Sequence, residues 1–327
     1  MSVQEPLVSI LINNYNYENF LGQAIDSALS QTYENVEVVV VDDGSTDNSR
    51  DIILGYGGRV LPIFKENAGQ ASAFNAGFEN CKGDLVCFLD SDDIFYPHKI
   101  KCVVEAFSQL NKEIGWYFHH LEMSNLDFQS EKLQCLDFQK NNFLLMPKDL
   151  QEVDFRKKIR KAVLPNFVPA TSGLCFSREL LEKIIPIPVA ESVYISDLYL
   201  KYVALALEKG CLINLELAIQ RLHENNIYTS NKGKERIELD AAIDINTAYW
   251  MRHNFPFLSA LTDKFMGRGL GKVAIIGEPR LNHTKVIDSY LKESSLLQKI
   301  RCYLNTLYYF LIKNLLLAAG NKNGLRL

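Results

Sequence analysis

Asp84-Leu85-Val86-Cys87-Phe88-Leu89-Asp90-Ser91-Asp92-Asp93 decides both the fold and the chemistry expected of this chain. Leu85 to Leu89 form an apolar run without alternation, the pattern of a strand buried on both faces. The run ends in three carboxylates within four residues: Asp90, Asp92 and Asp93. Like charges at the mouth of a dry strand are costly unless a cation or strong donors offset them. Hard divalent cations such as Mg²⁺ and Mn²⁺ take oxygen ligands, usually one or two carboxylates together with substrate phosphates. Read in isolation, the same residues also suit a solvated turn capping a helix that begins near Pro97.

The preceding residues weigh against that simpler reading. A first strand-like run, Leu7 to Ile12, leads into Asn13-Asn14-Tyr15-Asn16-Tyr17. Phe20, Leu21, Ile25, Ala28 and Leu29 then follow at helical spacing. A second buried strand, Val36 to Val41, runs into Asp42-Asp43-Gly44-Ser45-Thr46-Asp47. A helix is expected near 48–54, a third strand near 60–64, the loop Glu66-Asn67-Ala68-Gly69-Gln70, and a helix near 71–80. Strands and helices alternating at this spacing imply a parallel sheet with right-handed crossovers. Ligands bind such sheets beyond the carboxyl ends of the strands. Tyr15, Asp42, Asp43, Asn67, Gly69 and the acidic run all fall at those ends.

Five motifs in order carry a family likeness. They are Val8-Ser9-Ile10 through Asn14-Tyr15-Asn16, Ala28-Leu29-Ser30-Gln31-Thr32-Tyr33, Val41 to Asp47, Asn67-Ala68-Gly69 with Asn75-Ala76-Gly77, and Gly83-Asp84 to Asp93. Together they resemble the family 2 inverting glycosyltransferases. The likeness is strong over about residues 7 to 100, looser over 165 to 230, and absent elsewhere.

The resemblance implies a GT-A type nucleotide-sugar-binding fold, a mostly parallel central sheet flanked by helices, and the residues beyond it read as a helical C-terminal extension. A catalytic domain is expected over 1–232 and the extension over 233–327. Tyr15 would lie near the base, and Asp43, with Asp42 beside it, would accept a hydrogen bond from the base imide. The pair Asp42-Asp43 also suits a turn capping the next helix. Asn67, Gly69 and Gln70 would sit by the nucleotide or its ribose. Asp92 would ligate Mn²⁺ or Mg²⁺ bridging the phosphates, Asp90 would bind ribose or metal-bound water, and Asp93 would face the acceptor. The donor implied is a nucleoside diphosphate sugar of the UDP type. The acceptor would be a saccharide or lipid-linked hydroxyl, in cell-surface polysaccharide or glycolipid assembly.

Inversion by direct displacement needs a general base opposite the leaving group. The candidate is Asp197, at the start of a helical stretch with Leu198, Val203, Leu205 and Leu207 that Gly210 is expected to end. A carboxylate there is also a good helix cap. The family pattern usually has two acidic residues slightly earlier, and Ile195 occupies one of those places; Glu191 is the second candidate. The segment Arg221-Leu222-His223-Glu224-Asn225-Asn226 resembles a further family element. There His223 would complete the metal site, or be a structural histidine, and the Arg221 fork would neutralise phosphate. Pro169 to Ser177 resembles the acceptor-side floor, with Gly173 allowing close backbone approach to the sugar.

Composition narrows the field. With 327 residues, 47% of them hydrophobic, the chain can bury one large core and an appendage. A formal net charge of −4 gives no footprint for nucleic acid. Seven cysteines without a Cys-X-X-Cys spacing suit a reducing cytoplasm and neither zinc nor a disulfide framework. The first residues have neither a basic n-region nor an apolar h-region, so no secretory signal is expected. A nucleotidylyltransferase would need a glycine-rich loop after the first strand, where this chain has Asn13-Asn14-Tyr15-Asn16. No Gly-X-Gly-X-X-Gly follows any expected strand, which excludes a dinucleotide dehydrogenase. A non-catalytic relative that kept the fold is the remaining alternative, supported only by the irregular motif at Ile195.

The last third changes character. A helix is expected over 235–265 with a break at Pro256, then an apolar stretch over 296–319. Its uncharged centre, Cys302 to Ile312, is shorter than the ~20 residues needed to span a bilayer. Flanking Lys299, Arg301, Lys313, Lys322 and Arg326 suit a peripheral helix on the inner face of the cell membrane. A helix that packs on the catalytic domain or forms a homodimer is the alternative.

Overall fold

The computed structural model describes residues 5–110, 114–124, 145–189, 195, 197–223, 233–277 and 283–323, the last eleven by backbone alone. In chain order the elements begin β1 (Val8–Asn14), α1 (Glu18–Leu29), β2 (Val36–Asp42), α2 (Ser49–Gly55), β3 (Leu61–Phe64), α3 (Gln70–Asn80) and β4 (Leu85–Asp90). Next come β5 (Ile94–Phe95), α4 (Lys99–Gln109), β6 (Ile114–Ser124), β7 (Leu150–Val153), α5 (Arg156–Arg160), β8 (Leu174–Ser177) and α6 (Arg178–Ile184). The chain continues through α7 (Asp197–Leu207), β9 (Lys209–Arg221), α8 (Lys234–Asn254), α9 (Ser259–Ile276), α10 (Thr284–Lys292) and α11 (Leu296–Asn323). These build two units: residues 1–156, 165–189 and 200–223 in the first, and 157–164, 190–199 and 224–327 in the second.

The first unit is organised by a sheet of order β3-β2-β1-β4-β8-β6-β9-β5, with β7 also paired to β9. β3, β2, β1 and β4 are parallel, as the alternation of strands and helices requires. Beyond β4 the sheet is mixed: β8 runs antiparallel to β4 and β6, while β6 and β9 are parallel. Four buried residues, Leu174 to Ser177, give β8 no sequence cue to direction.

The apolar strands bury both faces. Ile10, Ile12, Val38, Val40, Leu85, Cys87 and Leu89 share one core with Leu21, Ile25 and Ala28 of α1 and Ile100 and Val103 of α4. The intervening residues face the other way, where Phe88 meets Phe74 of α3 edge to face at 4.9 Å. Helices on both faces explain why these strands read as continuous hydrophobic runs.

Gly210 does not end α7. The helix stops at Leu207, and Gly210 lies in β9 with Trp116 of β6 against it. A Cβ at Gly210 would fall 1.9 Å from the indole carbons. Trp116 is fully buried and its indole N–H donates to the Glu208 carbonyl at 3.1 Å, so the ring has no room to retreat. Gly210→Ala is therefore expected to cost about 3 kcal/mol or more, the upper range for overpacking. An unchanged denaturant midpoint in the purified variant would show that the strands can part without cost.

The second unit is helical. α8 ends at Asn254, a 3₁₀ turn spans Pro256–Leu258, and α9 follows directly, so the chain breaks where proline forbids a continuous helix. Asp244 of α8, almost fully buried, pairs with Arg268 and Lys272 of α9. α11 is one continuous helix, and no helix among the described residues is long and apolar enough to cross a membrane.

Candidate active site

Sheet register assembles the site. On β1, Asn14 is opposite Asp42 of β2, and Asn13 is opposite Asp90 of β4. Asn14 donates its side-chain amide to Asp42 at 2.9 Å, and Asn13 to Asp90 at 3.2 Å. Strand order reverses between β1 and β4, the place where open α/β sheets leave a crevice for ligands. With strands ~4.8 Å apart, Asp42 and Asp90 stand about 10 Å from each other along this row.

At the β2 end, two carboxylates fix two loops. Asp42 accepts from the Ser45 N–H at 3.1 Å and from its hydroxyl. Asp43 accepts from Lys65, from the Ala68 N–H at 3.1 Å and from the Gly69 N–H at 2.7 Å. Both are nearly inaccessible, at 4% and 3% exposure. Asp43 thus holds the 65–69 loop with most of its acceptor capacity. Gly44 takes φ +76°, and a Cβ there would lie 2.6 Å from the Asn67 backbone nitrogen, so the two loops close only around glycine. Between them opens a cavity of about 590 Å³ lined by Asp42, Ser45, Arg50, Phe64, Lys65 and Asn67, among others. That volume falls in the range of small-molecule sites. Tyr15 is exposed at the end of β1.

At the β4 end the three carboxylates divide. Asp90, Asp92 and Asp93 bring one oxygen each within 4.8 Å of one another. Asp90 receives Asn13 and, at 3.5 Å, the Gln70 amide. Asp92 meets the His223 ring nitrogen Nε2 at 3.2 Å, and His223 stacks on Phe20 at 4.2 Å. Asp93 turns inward: it is 1% exposed and accepts from the Ser172 hydroxyl at 2.6 Å and the Arg221 N–H at 3.1 Å. Burial, then the charges of Asp92 and Asp90, push its carboxyl well above the usual range. Its position braces the loop from behind, where the sequence had suggested an acceptor-facing group.

Arg221 is also a brace. It is 3% exposed, donates to the Asp92 carbonyl and Gln23, reaches the Phe20 carbonyl at 3.2 Å, and lies over the Phe20 ring. Burial lowers it to about 10, with Asp93 and Asp92 pulling the other way, so it remains a cation at neutral pH. Lys99 lies wholly buried beneath, donating to the Ser172 carbonyl at 3.0 Å and lowered to about 8 by burial. Asn13, Lys65, Lys99 and Ser172 escaped the sequence reading. Ser172 lies inside the Pro169 to Ser177 stretch already singled out, but nothing local marks its partner. Gly173 serves internal packing, since a Cβ there would meet Pro169 at 2.5 Å and the His119 carbonyl at 2.8 Å.

The acidic end fits a hard divalent cation. It offers carboxylate oxygens within 4.8 Å of one another with an imidazole beside them. Asp197 is the first residue of α7 and belongs to the second unit. Glu191 lies outside the described residues.

Comparison with known proteins identifies the family and the fold. Residues 9–184 match the sequence model of Glycosyl transferase family 2. An uncharacterized glycosyltransferase of Nostoc sp. is 36% identical over 250 residues, 74% of each chain. Another, from Rickettsia prowazekii, is 41% identical over 136 residues, covering 41% of this chain and 42% of its own. S. aureus TarS in complex with UDP-GlcNAc superposes with a TM-score of 0.55 over 91% of this chain and 79% of its own, at 16% identity. At that identity the likeness is one of fold, the GT-A architecture.

Proposed function

Because the chain belongs to glycosyl transferase family 2, we propose that it carries a sugar from a UDP-type donor to an acceptor hydroxyl with inversion. The observation that carries this reading is the polar end of the sheet on β2, β1 and β4, where Asn14 meets Asp42 beside the cavity and Asn13 meets Asp90 beside the acidic loop. Its span of about 10 Å, two strand steps, suits a nucleoside at the β2 end and a diphosphate at the β4 end. TarS, which shares the fold, was captured with UDP-GlcNAc, in support of that donor class.

In this reading Tyr15, Asn67, Gly69 and Gln70 rim the nucleoside, with Asp42 and Asp43 shaping the loops that enclose it. Asp92, with Asp90 and His223 beside it, would hold Mn²⁺ or Mg²⁺. The cation supplies positive charge that offsets the diphosphate as it departs. Arg221 adds a fixed cation behind the same loop. The acceptor oxygen bonds to the anomeric carbon as the carbon–oxygen bond to the diphosphate breaks. That bond's electron pair leaves with the nucleoside diphosphate, and the hydroxyl proton passes to the Asp197 carboxylate. Six described cysteines, all buried and unbridged, suit a reducing compartment, so we place the reaction on the cytoplasmic side of cell-surface polysaccharide or glycolipid assembly.

Thermal unfolding in the presence of UDP and Mn²⁺ tests the donor site. Ligand at ~100-fold above its Kd adds about 2.7 kcal/mol of apparent stability. UDP with Mn²⁺ is expected to raise Tm well beyond either alone. A folded protein whose Tm responds to no nucleoside diphosphate, with or without metal, would refute the assignment.

A further inference from the structure

α11 leaves an apolar face open over residues 300–311. Ile300, Tyr303, Leu304, Leu307, Tyr308 and Leu311 are each 45% to 61% exposed. At about 100° per residue they project within a sector of about 140°, a broad stripe rather than scattered side chains. The opposite face is occupied: Cys302 is fully buried, and the backbone at Cys302 and Thr306 lies against Gly267 of α9. The stripe therefore faces away from the helix that supports α11.

Charge identifies what covers it. From Leu296 onward the chain has five basic residues, Lys299, Arg301, Lys313, Lys322 and Arg326, and no acidic one. The preceding 295 residues hold the other thirty basic residues and all thirty-nine acidic ones, a net of −9. Lys299 lies just outside one edge of the stripe and Arg301, which also pairs with Asp263 at 2.7 Å, just outside the other. A second copy would bring the same excess of positive charge against the first. An anionic bilayer surface offers apolar depth for the leucines, a headgroup layer for the tyrosines and negative charge for the bordering cations.

We propose that α11 docks the protein on an anionic lipid surface, lying in the plane of the membrane. Too few apolar residues are present for a span, consistent with the absence of a spanning helix among the described residues. The proposal stands apart from the transfer reaction and does not need it.

The test is co-sedimentation of the full-length protein with vesicles of phosphatidylcholine, with and without phosphatidylglycerol. The protein is expected to pellet with the anionic vesicles at low salt, to stay in solution with phosphatidylcholine alone, and to be released by added salt. Lys299→Glu is expected to weaken vesicle affinity on the order of tenfold, since each basic residue contributes about 1 kcal/mol at such a surface. Leu304→Glu with Leu307→Glu, both at exposed positions, is expected to abolish pelleting while leaving Tm unchanged. Failure to pellet with anionic vesicles at low salt overturns the proposal. So does a lipid-free dimer in light scattering that the double variant splits, since the stripe would then be a self-interface.

Discussion

Asp197→Asn is expected to lower turnover by roughly 10²-fold to 10⁴-fold while leaving affinity for the nucleotide donor unchanged, the loss typical of a missing general base. The substitution keeps the size of the side chain and a polar group in the first turn of α7. What it removes is the carboxylate proposed to take a proton from the acceptor hydroxyl. Donor affinity serves as the internal control, because the nucleotide is assigned to the row on β2, β1 and β4. Loss of donor affinity in proportion to turnover would put Asp197 in the nucleotide site instead. Unchanged turnover would transfer the role to Glu191, and Glu191→Gln is the variant that follows.

The second large effect is expected at Asp92. Asp92→Asn should reduce metal-dependent transfer by about 10²-fold to 10³-fold, the loss typical when one preorganised electrostatic partner is removed. Stability should move in the opposite sense. Asp92 stands with Asp90 and Asp93 in one cluster, and neutralising it relieves repulsion that helps push the Asp93 carboxyl upward. Tm without metal should be unchanged or slightly higher, and the gain in Tm on adding Mn²⁺ with UDP should vanish. A folded Asp92→Asn protein with full activity would leave the acidic loop a structural turn.

Much of this was legible because the signals are local. Each buried strand announces itself as an apolar run, and each functional group on β1, β2 and β4 stands at the end of one. Parallel strands carry their ends to one rim, so residues at those ends are neighbours by topology alone. What stayed hidden depends on partners far away in sequence. Ser172 reaches Asp93 across 79 positions and Arg221 reaches it across 128, and neither leaves a mark in the intervening chain. Lys99 opens an amphipathic helix and reads as a solvated cation, yet it is wholly buried beneath the acidic loop. Gly210 looked like a helix stop because glycine commonly is one; its reason is the indole of Trp116, which only the pairing of β6 and β9 brings near.

The brace at Arg221 has a bearing on how the molecule comes into being. A chain emerges from the ribosome N-terminus first, and its domains fold as their residues become available. β1 to β4, with Asn14 bonded to Asp42 and Asn13 to Asp90, draw only on the first ninety residues. The acidic loop, by contrast, is tied to α1 by a guanidinium that is synthesised more than a hundred residues later. The pairs on β1, β2 and β4 are thus complete in sequence by residue 90, while the contacts that hold the acidic loop to α1 are complete only once β9 has been made. A nascent chain halted before residue 221 carries every carboxylate of the cluster but not the guanidinium that ties their loop to α1.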